Sequence, residues 1–323
     1  MPELSICLTT DLGYLFPTFA CAVWLREQVA AAQADVTIIG IGLATAALAA
    51  IGPACEALGI ALLPIPSSRI GDAPAMLARL FLADILPPHI TRFLYLDGDV
   101  HCPGPLAALL AHRPSPTHFL AARDPLAFVL PGRDRFAART AAYMAAIGLS
   151  RAEGEQYFNS GVILADREGW APIGREAWRL LSTRAAATRF IDQDVLNLAG
   201  RGHHQPLSLA WNFPVFMRNA RLEAVVRPHI VHFMSNPKPW HGAFPPWTAA
   251  EHTAYTAVLR RFPAIAPYRL AAMTLPQRLR NHGQQRLKRL HETLAWGLSQ
   301  RRERIVAYEQ AALLRPPQSA AGP

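Results

Sequence analysis

Cysteine is scarce in this chain and lysine nearly missing. The four cysteines, Cys7, Cys21, Cys55 and Cys102, stand 14, 34 and 47 residues apart with no CxxC pair. That spacing excludes a disulfide framework and a cysteine-rich zinc site, and points to a reducing compartment. The opening MPELSICLTTD carries an acidic residue where an export signal needs basic ones, and its apolar run is short, so a cytoplasmic protein is expected. Residues 36–55 run for twenty positions without a charge, the length of a membrane span. Gly40, Gly42, Gly52 and Pro53 interrupt that run, which divides into a strand (VTIIGIG) and a helix (TAALAAIG), so a span is rejected. No internal repeat is visible. Charged residues make up only 17% against 51% hydrophobic, which excludes disorder and collagen. The 323 residues allow roughly two domains, and a core of ~250 residues would bury about 70–75% of its unfolded surface.

Of 32 basic residues only Lys238 and Lys288 are lysine. The charge is unevenly spread: residues 269–323 hold 10 Lys+Arg against 3 Asp+Glu, residues 1–268 hold 22 against 20. Past Pro276 the pattern is helical, with Leu287, Leu290, Leu294 and Leu298 along one face and Arg286, Lys288, Arg289, Arg301 and Arg302 around it. Such a basic amphipathic tail fits an anionic membrane surface or a helix docked on its own core. Nucleic acid is not expected as a partner, since no nucleic-acid fold signature accompanies the tail. The loop PWHGAFPPW, a short helix over 249–261 and the Pro-broken RFPAIAPYRL place a boundary between residues 1–265 and 266–323.

The first hundred residues alternate short β-like runs with Ala/Leu-rich stretches, the pattern of a doubly wound α/β sheet. Strands are expected near 4–9, 36–42, 61–65, 93–97, 118–122 and 161–165, with helices near 18–31, 45–58 and 74–85. Ligands in such sheets sit at the carboxyl ends of the strands. That rule gathers Thr10, Asp11, Asp97, Asp99, Asp124 and Asn159 on one rim.

Within YLDGDV an apolar strand ends in Asp97 and Asp99, hard oxygen ligands suited to a divalent cation and its bound phosphates, or else a turn or helix cap. In HFMSNPKPW, His232 follows the apolar HIV triplet; it can complete a metal site or sit as a rim histidine. Lys238 would supply a compact charge to a phosphate. Asn159 in YFNSGVILAD, and Asp192 and Gln193 in FIDQDVLN, can hold sugar hydroxyls or serve as a turn and a cap.

Taken in order, LTTDLGY, Ala78-Arg79-Leu80, YLDGDV with PGPLAAL, YFNSGVIL, DQDVLN, Trp211-Asn212 and HFMSNPKPW resemble the retaining, metal-dependent glycosyltransferases of family 8. The resemblance runs from Leu8 to Trp240. It implies an α/β fold of GT-A type, a Rossmann-like nucleotide-sugar-binding domain with a mixed, mostly parallel sheet, followed here by the helical basic tail. It implies Mn2+ or Mg2+ held by Asp97, Asp99 and His232, with UDP-hexose as donor. Lys238 matches the lysine that touches the diphosphate, and Gly98 and Ser235 stand in the same phosphate-binding segments. Thr9, Thr10, Asp11 and Tyr14 match the uridine end of the first strand. Arg79, Asp124, Asn159, Asp192 and Gln193 match positions around the transferred sugar, and Gln193 lies where the family has a polar group near the reacting carbon. Leu12-Gly13 and Ser235 depart from the family, which has Asp or Asn and Gly there.

The implied activity is transfer of galactose or glucose to a saccharide or lipid-linked acceptor in lipopolysaccharide or surface-glycan synthesis. Two alternatives carry their own signals. LDGDV also looks like the DxDx[TV] motif of dehalogenase-type phosphohydrolases, but His101 stands at its last position. A membrane-associated scaffold with a vestigial pocket would be expected to have lost one of Asp97, Asp99, His232 or Lys238.

Overall fold

The computed structural model describes residues 2–184, 187–247, 249–270 and 273–316. Seven strands form the main sheet: β1 (Leu4–Thr10), β2 (Asp35–Ile41), β3 (Ala61–Ile65), β4 (Arg92–Leu96), β6 (Phe119–Ala122), β7 (Val162–Asp166) and β8 (His204–Leu207), in the order β3-β2-β1-β4-β7-β6-β8. Three two-residue strands, β5 (Val100–His101), β9 (Phe213–Pro214) and β10 (Val231–His232), form a second sheet in the order β5-β10-β9.

β1 and β4 are buried along their whole length, as central strands covered on both faces must be. Alternation divides their side chains. Leu4, Ile6, Leu8, Leu94 and Leu96 pack with Phe16 and Phe19 of the helix Leu15–Gln28 and with Ile51 of the helix Thr45–Leu58. Cys7, Phe93 and Tyr95 face the other way, onto Trp170, Ile173 and Ala177 of the helix Arg167–Arg184. Residues 36–55 divide into β2 and the helix Thr45–Leu58 as expected, and no described helix is long and apolar enough to cross a membrane. All four cysteines are buried and free, and burial pushes the Cys7 and Cys102 thiols up to about 12.

The sheet is mixed and mostly parallel. β7 alone runs against its neighbours β4 and β6, while β6 and β8 pair in parallel. This reversal brings Asn159 to the functional rim, because the residues that precede an antiparallel strand lie beside the carboxyl ends of its neighbours. The connections diverge between β1 and β4, the switch point at which open α/β sheets hold ligands. Thr10 ends β1 and Asp11 follows it, and Asp97 to Asp99 follow β4, the two strands that flank this point.

Beyond the sheet, the helix Leu275–Glu292 passes through a π-helical turn, Thr293–Gly297, into the helix Gln300–Ala311. Leu287, Leu290, Leu294 and Leu298 are exposed, joined by Leu275 and Leu279. This stripe therefore does not dock on the protein's own core. Two of the arginines expected around it turn inward: Arg301 pairs with Asp134 at 2.7 Å, and Arg302 donates to the Ala220 carbonyl. The break at Ser299, which caps the last helix, rotates these arginines away from the leucine face.

Candidate active site

The rim begins with Asp97 and Asp99. Gly98 between them lies so close to the helix Leu15–Gln28 that a Cβ there would stand 2.3 Å from Thr18 Oγ1 and 3.3 Å from its Cα. The turn hugs the helix, and Asp99 continues into β5. There Val100 pairs with His232, and the Phe233 N–H donates to the Asp99 carbonyl at 3.0 Å. A ladder of two-residue strands thus brings together side chains more than 130 positions apart in the sequence. His232 Nε2 lies 3.2 Å from Asp99 Oδ1 and 3.8 Å from Asp97 Oδ2.

One donor atom from each of Asp97, Asp99 and His232 falls within 4.8 Å of the others, and no other such group occurs among the described residues. Two carboxylates and an imidazole suit Mn2+ or Mg2+, whose remaining positions water or phosphate oxygen can fill. The residues fit the group.

Basic side chains compensate both carboxylates. Lys238 Nζ lies 2.6 Å from Asp99 Oδ2. Arg79, 4% exposed, reaches Asp97 Oδ1 at 2.6 Å and Asp192 Oδ2 at 3.1 Å and donates to the Ser160 carbonyl at 2.8 Å. Its guanidinium lies over the Tyr95 ring, whose hydroxyl donates to Asp97. The two carboxyls respond in opposite directions. Burial pushes Asp97 up against the pull of Arg79. Burial acts the same way on Asp99, but Lys238 and His232 outweigh it and hold that carboxyl well below the usual range.

Behind the carboxylates lies a closed polar network. The helix Ile191–Ala199 presents Asp192, which accepts from Ser160 Oγ at 2.8 Å, and Gln193, which accepts from Asn159 Nδ2 at 2.9 Å and donates to Asp124 at 3.1 Å. Asp124 also caps the helix Pro125–Val129 through the Leu126 N–H. Burial raises the Asp124 carboxyl despite these donors. Asp192, Gln193, Asp124 and Asn159 are all buried; Gln193, Asp124 and Asn159 bond to one another, while Asp192 is held by Ser160 and Arg79.

In front is a cleft of about 350 Å³ lined by Thr9, Thr10, Asp11, Tyr14, Arg79, Asp97, Gly98 and Asp99, with Pro74, Ala75, Met76 and Tyr95. Asp11 is exposed and caps the turn Leu12–Tyr14. Thr9 Oγ1 meets the Tyr95 hydroxyl at 3.2 Å, Thr10 donates to the Asp11 carbonyl, and the Tyr14 ring packs edge-on against Trp240. Ser235 lies half-buried on the bend between His232 and Lys238, outside the cleft lining.

Four residues that sequence patterns did not single out as ligands belong to this arrangement: Tyr95, Ser160, Gly161 and Asn212. Tyr95 reads as one more core position in an apolar strand. The other three stand inside recognisable segments, FNSG and Trp211-Asn212, beside residues with more obvious chemistry. A Cβ on Gly161 would stand 2.4 Å from His232 Cε1 and 2.7 Å from Asp97 Oδ2, so only glycine lets the two close over it.

A model of the family described as Glycosyl transferase family 8 matches residues 67–243, just over half of the chain. The chain belongs to glycosyl transferase family 8. This family-8 chain is 26% identical over 178 residues to the lipopolysaccharide 1,2-glucosyltransferase of Escherichia coli K12, covering 52% of the chain and 49% of that protein. It is 27% identical over 178 residues to the lipopolysaccharide 1,3-galactosyltransferase of Salmonella typhimurium LT2, covering 52% and 50%. The chain spans about half the length of these relatives. Among solved structures, the galactosyltransferase LgtC in complex with donor and acceptor sugar analogs superposes with a TM-score of 0.61 at 19% identity, covering 85% of this chain and 99% of that one. The fold of the family-8 chain is that of a GT-A glycosyltransferase, and the dehalogenase-type alternative is set aside.

Proposed function

We propose that the protein is a metal-dependent, retaining hexosyltransferase that moves galactose or glucose from a UDP-sugar to a saccharide or glycolipid acceptor in lipopolysaccharide or surface-glycan synthesis. The observation that carries this reading is the meeting of Asp97, Asp99 and His232 within 4.8 Å, at the mouth of a cleft backed by the Arg79–Asp192 pair. Mn2+ or Mg2+ on these three residues would neutralise the charge that develops on departing UDP. Lys238 adds a cation for the same diphosphate once it leaves Asp99. Thr9, Thr10, Asp11 and Tyr14 take the nucleoside end, Gly98 lets the phosphates approach the backbone, and Ser235, where the family has Gly, stands on the bend that leads from His232 to Lys238.

Gln193, Asp192, Asp124 and Asn159 orient the sugar. The Gln193 amide is a poor nucleophile, which favours attack by the acceptor hydroxyl from the face that UDP vacates. On the same reading residues 1–265 form the catalytic unit and residues 266–323 the tail. The exposed leucines, flanked by Arg278, Arg280, Arg286, Lys288 and Arg289, would hold the enzyme on the inner, anionic leaflet of the membrane where a lipid-linked acceptor resides.

The test is UDP release from a panel of UDP-sugars, with water as acceptor, in Mn2+, Mg2+ or EDTA. Metal-dependent release from one hexose donor is expected, and Asp99→Asn should abolish it while leaving the circular dichroism spectrum unchanged. Near-wild-type release by that variant would overturn the metal assignment. Failure to bind UDP even with Mn2+ would favour the scaffold alternative.

A further inference from the structure

Asn212 occupies the junction between the two halves of the site. Its side chain touches His232 on one side, Asn212 Oδ1 to His232 Nδ1 at 2.9 Å, and Asn159 on the other, Nδ2 to Oδ1 at 2.8 Å. The orientation of this amide follows from the backbone, whose donors are unambiguous. The Gly161 N–H donates to Asn159 Oδ1 at 3.0 Å, so that atom is the carbonyl oxygen of Asn159. The Ser160 N–H likewise donates to Gln193 Oε1, which also accepts from Asn159 Nδ2.

Asn159 Oδ1 therefore requires a donor from Asn212, and only Nδ2 can supply one. Asn212 Oδ1 is left to face His232 Nδ1, which must then carry a proton. The lone pair of the neutral ring falls on Nε2, the atom turned toward Asp97 and Asp99.

We propose that Asn212 is the positioning residue of the metal site: it selects the His232 tautomer whose Nε2 is free to ligate and fixes the plane of the ring. Asn212 is itself braced by the segment 308–314. Glu309, 1% exposed, accepts from Ser208 Oγ at 2.6 Å and from the Leu209 N–H at 2.8 Å, at the start of the turn Leu209–Trp211 that leads into Asn212. The Tyr308 hydroxyl donates to the Leu207 carbonyl, and the Trp211 indole to the Leu314 carbonyl. The Ser208 and Leu313 N–H groups close a bridge with the Leu313 and Pro206 carbonyls. The segment 308–314 thus acts as a strap that holds the turn, and through it Asn212, against His232. Partners in this outer position orient metal-bound histidines and are commonly worth about 10–100-fold in metal affinity.

The inference rests on the metal reading above, and its test separates the two. Nitrogen-15 NMR of histidine-labelled wild-type protein at alkaline pH, without metal, reads the tautomer directly and needs no variant. A proton on Nδ1 of His232 is expected; a neutral ring protonated on Nε2 overturns the proposal whether or not a metal binds. Mn2+ affinity, followed by electron paramagnetic resonance of the free ion, should fall about 10–100-fold in Asn212→Ala and several-fold in Glu309→Ala. Unchanged affinity in Asn212→Ala overturns the assignment of Asn212, and unchanged affinity in Glu309→Ala overturns the strap. A wild-type protein that binds neither Mn2+ nor Mg2+ defeats the metal reading and leaves the tautomer to be decided by NMR.

Discussion

Arg79 shows how little of a residue's role lies in its own chemistry. On a 3₁₀ helix (Ala75–Phe81) that reads as apolar, its guanidinium reaches two carboxylates from different segments and a backbone carbonyl. A buried charge left without its partner is costly. Arg79→Met strands Asp97 and Asp192, and the loss of stability should be about 3–5 kcal/mol by urea unfolding; a loss below about 1 kcal/mol, the range of an exposed pair, would contradict the geometry. Gly161 makes the converse point, since its contribution is the absence of a side chain. Gly161→Ala places a methyl against His232 Cε1 and Asp97 Oδ2, and overpacking of this kind typically costs about 1–3 kcal/mol. A lower melting temperature and loss of metal-dependent UDP release are expected together, and wild-type turnover in that variant would mean the two ligands need not close over residue 161.

At the scale of elements, direction matters as much as position. Strands near 161–165 and 118–122 are legible from their apolar runs, and the structure has them as Val162–Asp166 and Phe119–Ala122. The reversal of β7 has no local signature, because side-chain alternation is the same in either direction. Yet that reversal is what sets Asn159 beside Asp124 and Gln193. The tail offers the opposite case. Its leucine spacing is legible, and so is its basic charge, but only the packed chain turns Arg301 and Arg302 inward while leaving the leucines in solvent. Replacing Leu287, Leu290, Leu294 and Leu298 by serine should abolish co-sedimentation with vesicles rich in anionic lipid. Wild-type binding should weaken with rising salt as its electrostatic part is screened. Equal sedimentation of both proteins would remove the tail from the membrane reading.

For the whole molecule, the order of chemistry-bearing segments carries most of the functional information. LTTD, LDGDV, FNSG, DQD and HFMSNPKPW each end or begin an element at the same rim, which is why their residue types predict metal, phosphate and hydroxyl chemistry there before any contact is known, and why their order resembles family 8. What the segments do to one another is a different matter. The pairing of Lys238 with Asp99 and of Arg79 with Asp97 and Asp192 depends on chain returns of 139, 18 and 113 residues. So does the strap that joins Glu309 to Ser208 across 101 positions. Periodicity and composition are local properties, and by themselves they determined the α/β alternation, the two faces of each strand, the residue chemistry of the rim and the basic amphipathic tail. Strand direction, the partners of buried charges and the orientation of His232 were decided only by the tertiary structure, because each depends on which distant segment arrives to satisfy a group that the interior has removed from water.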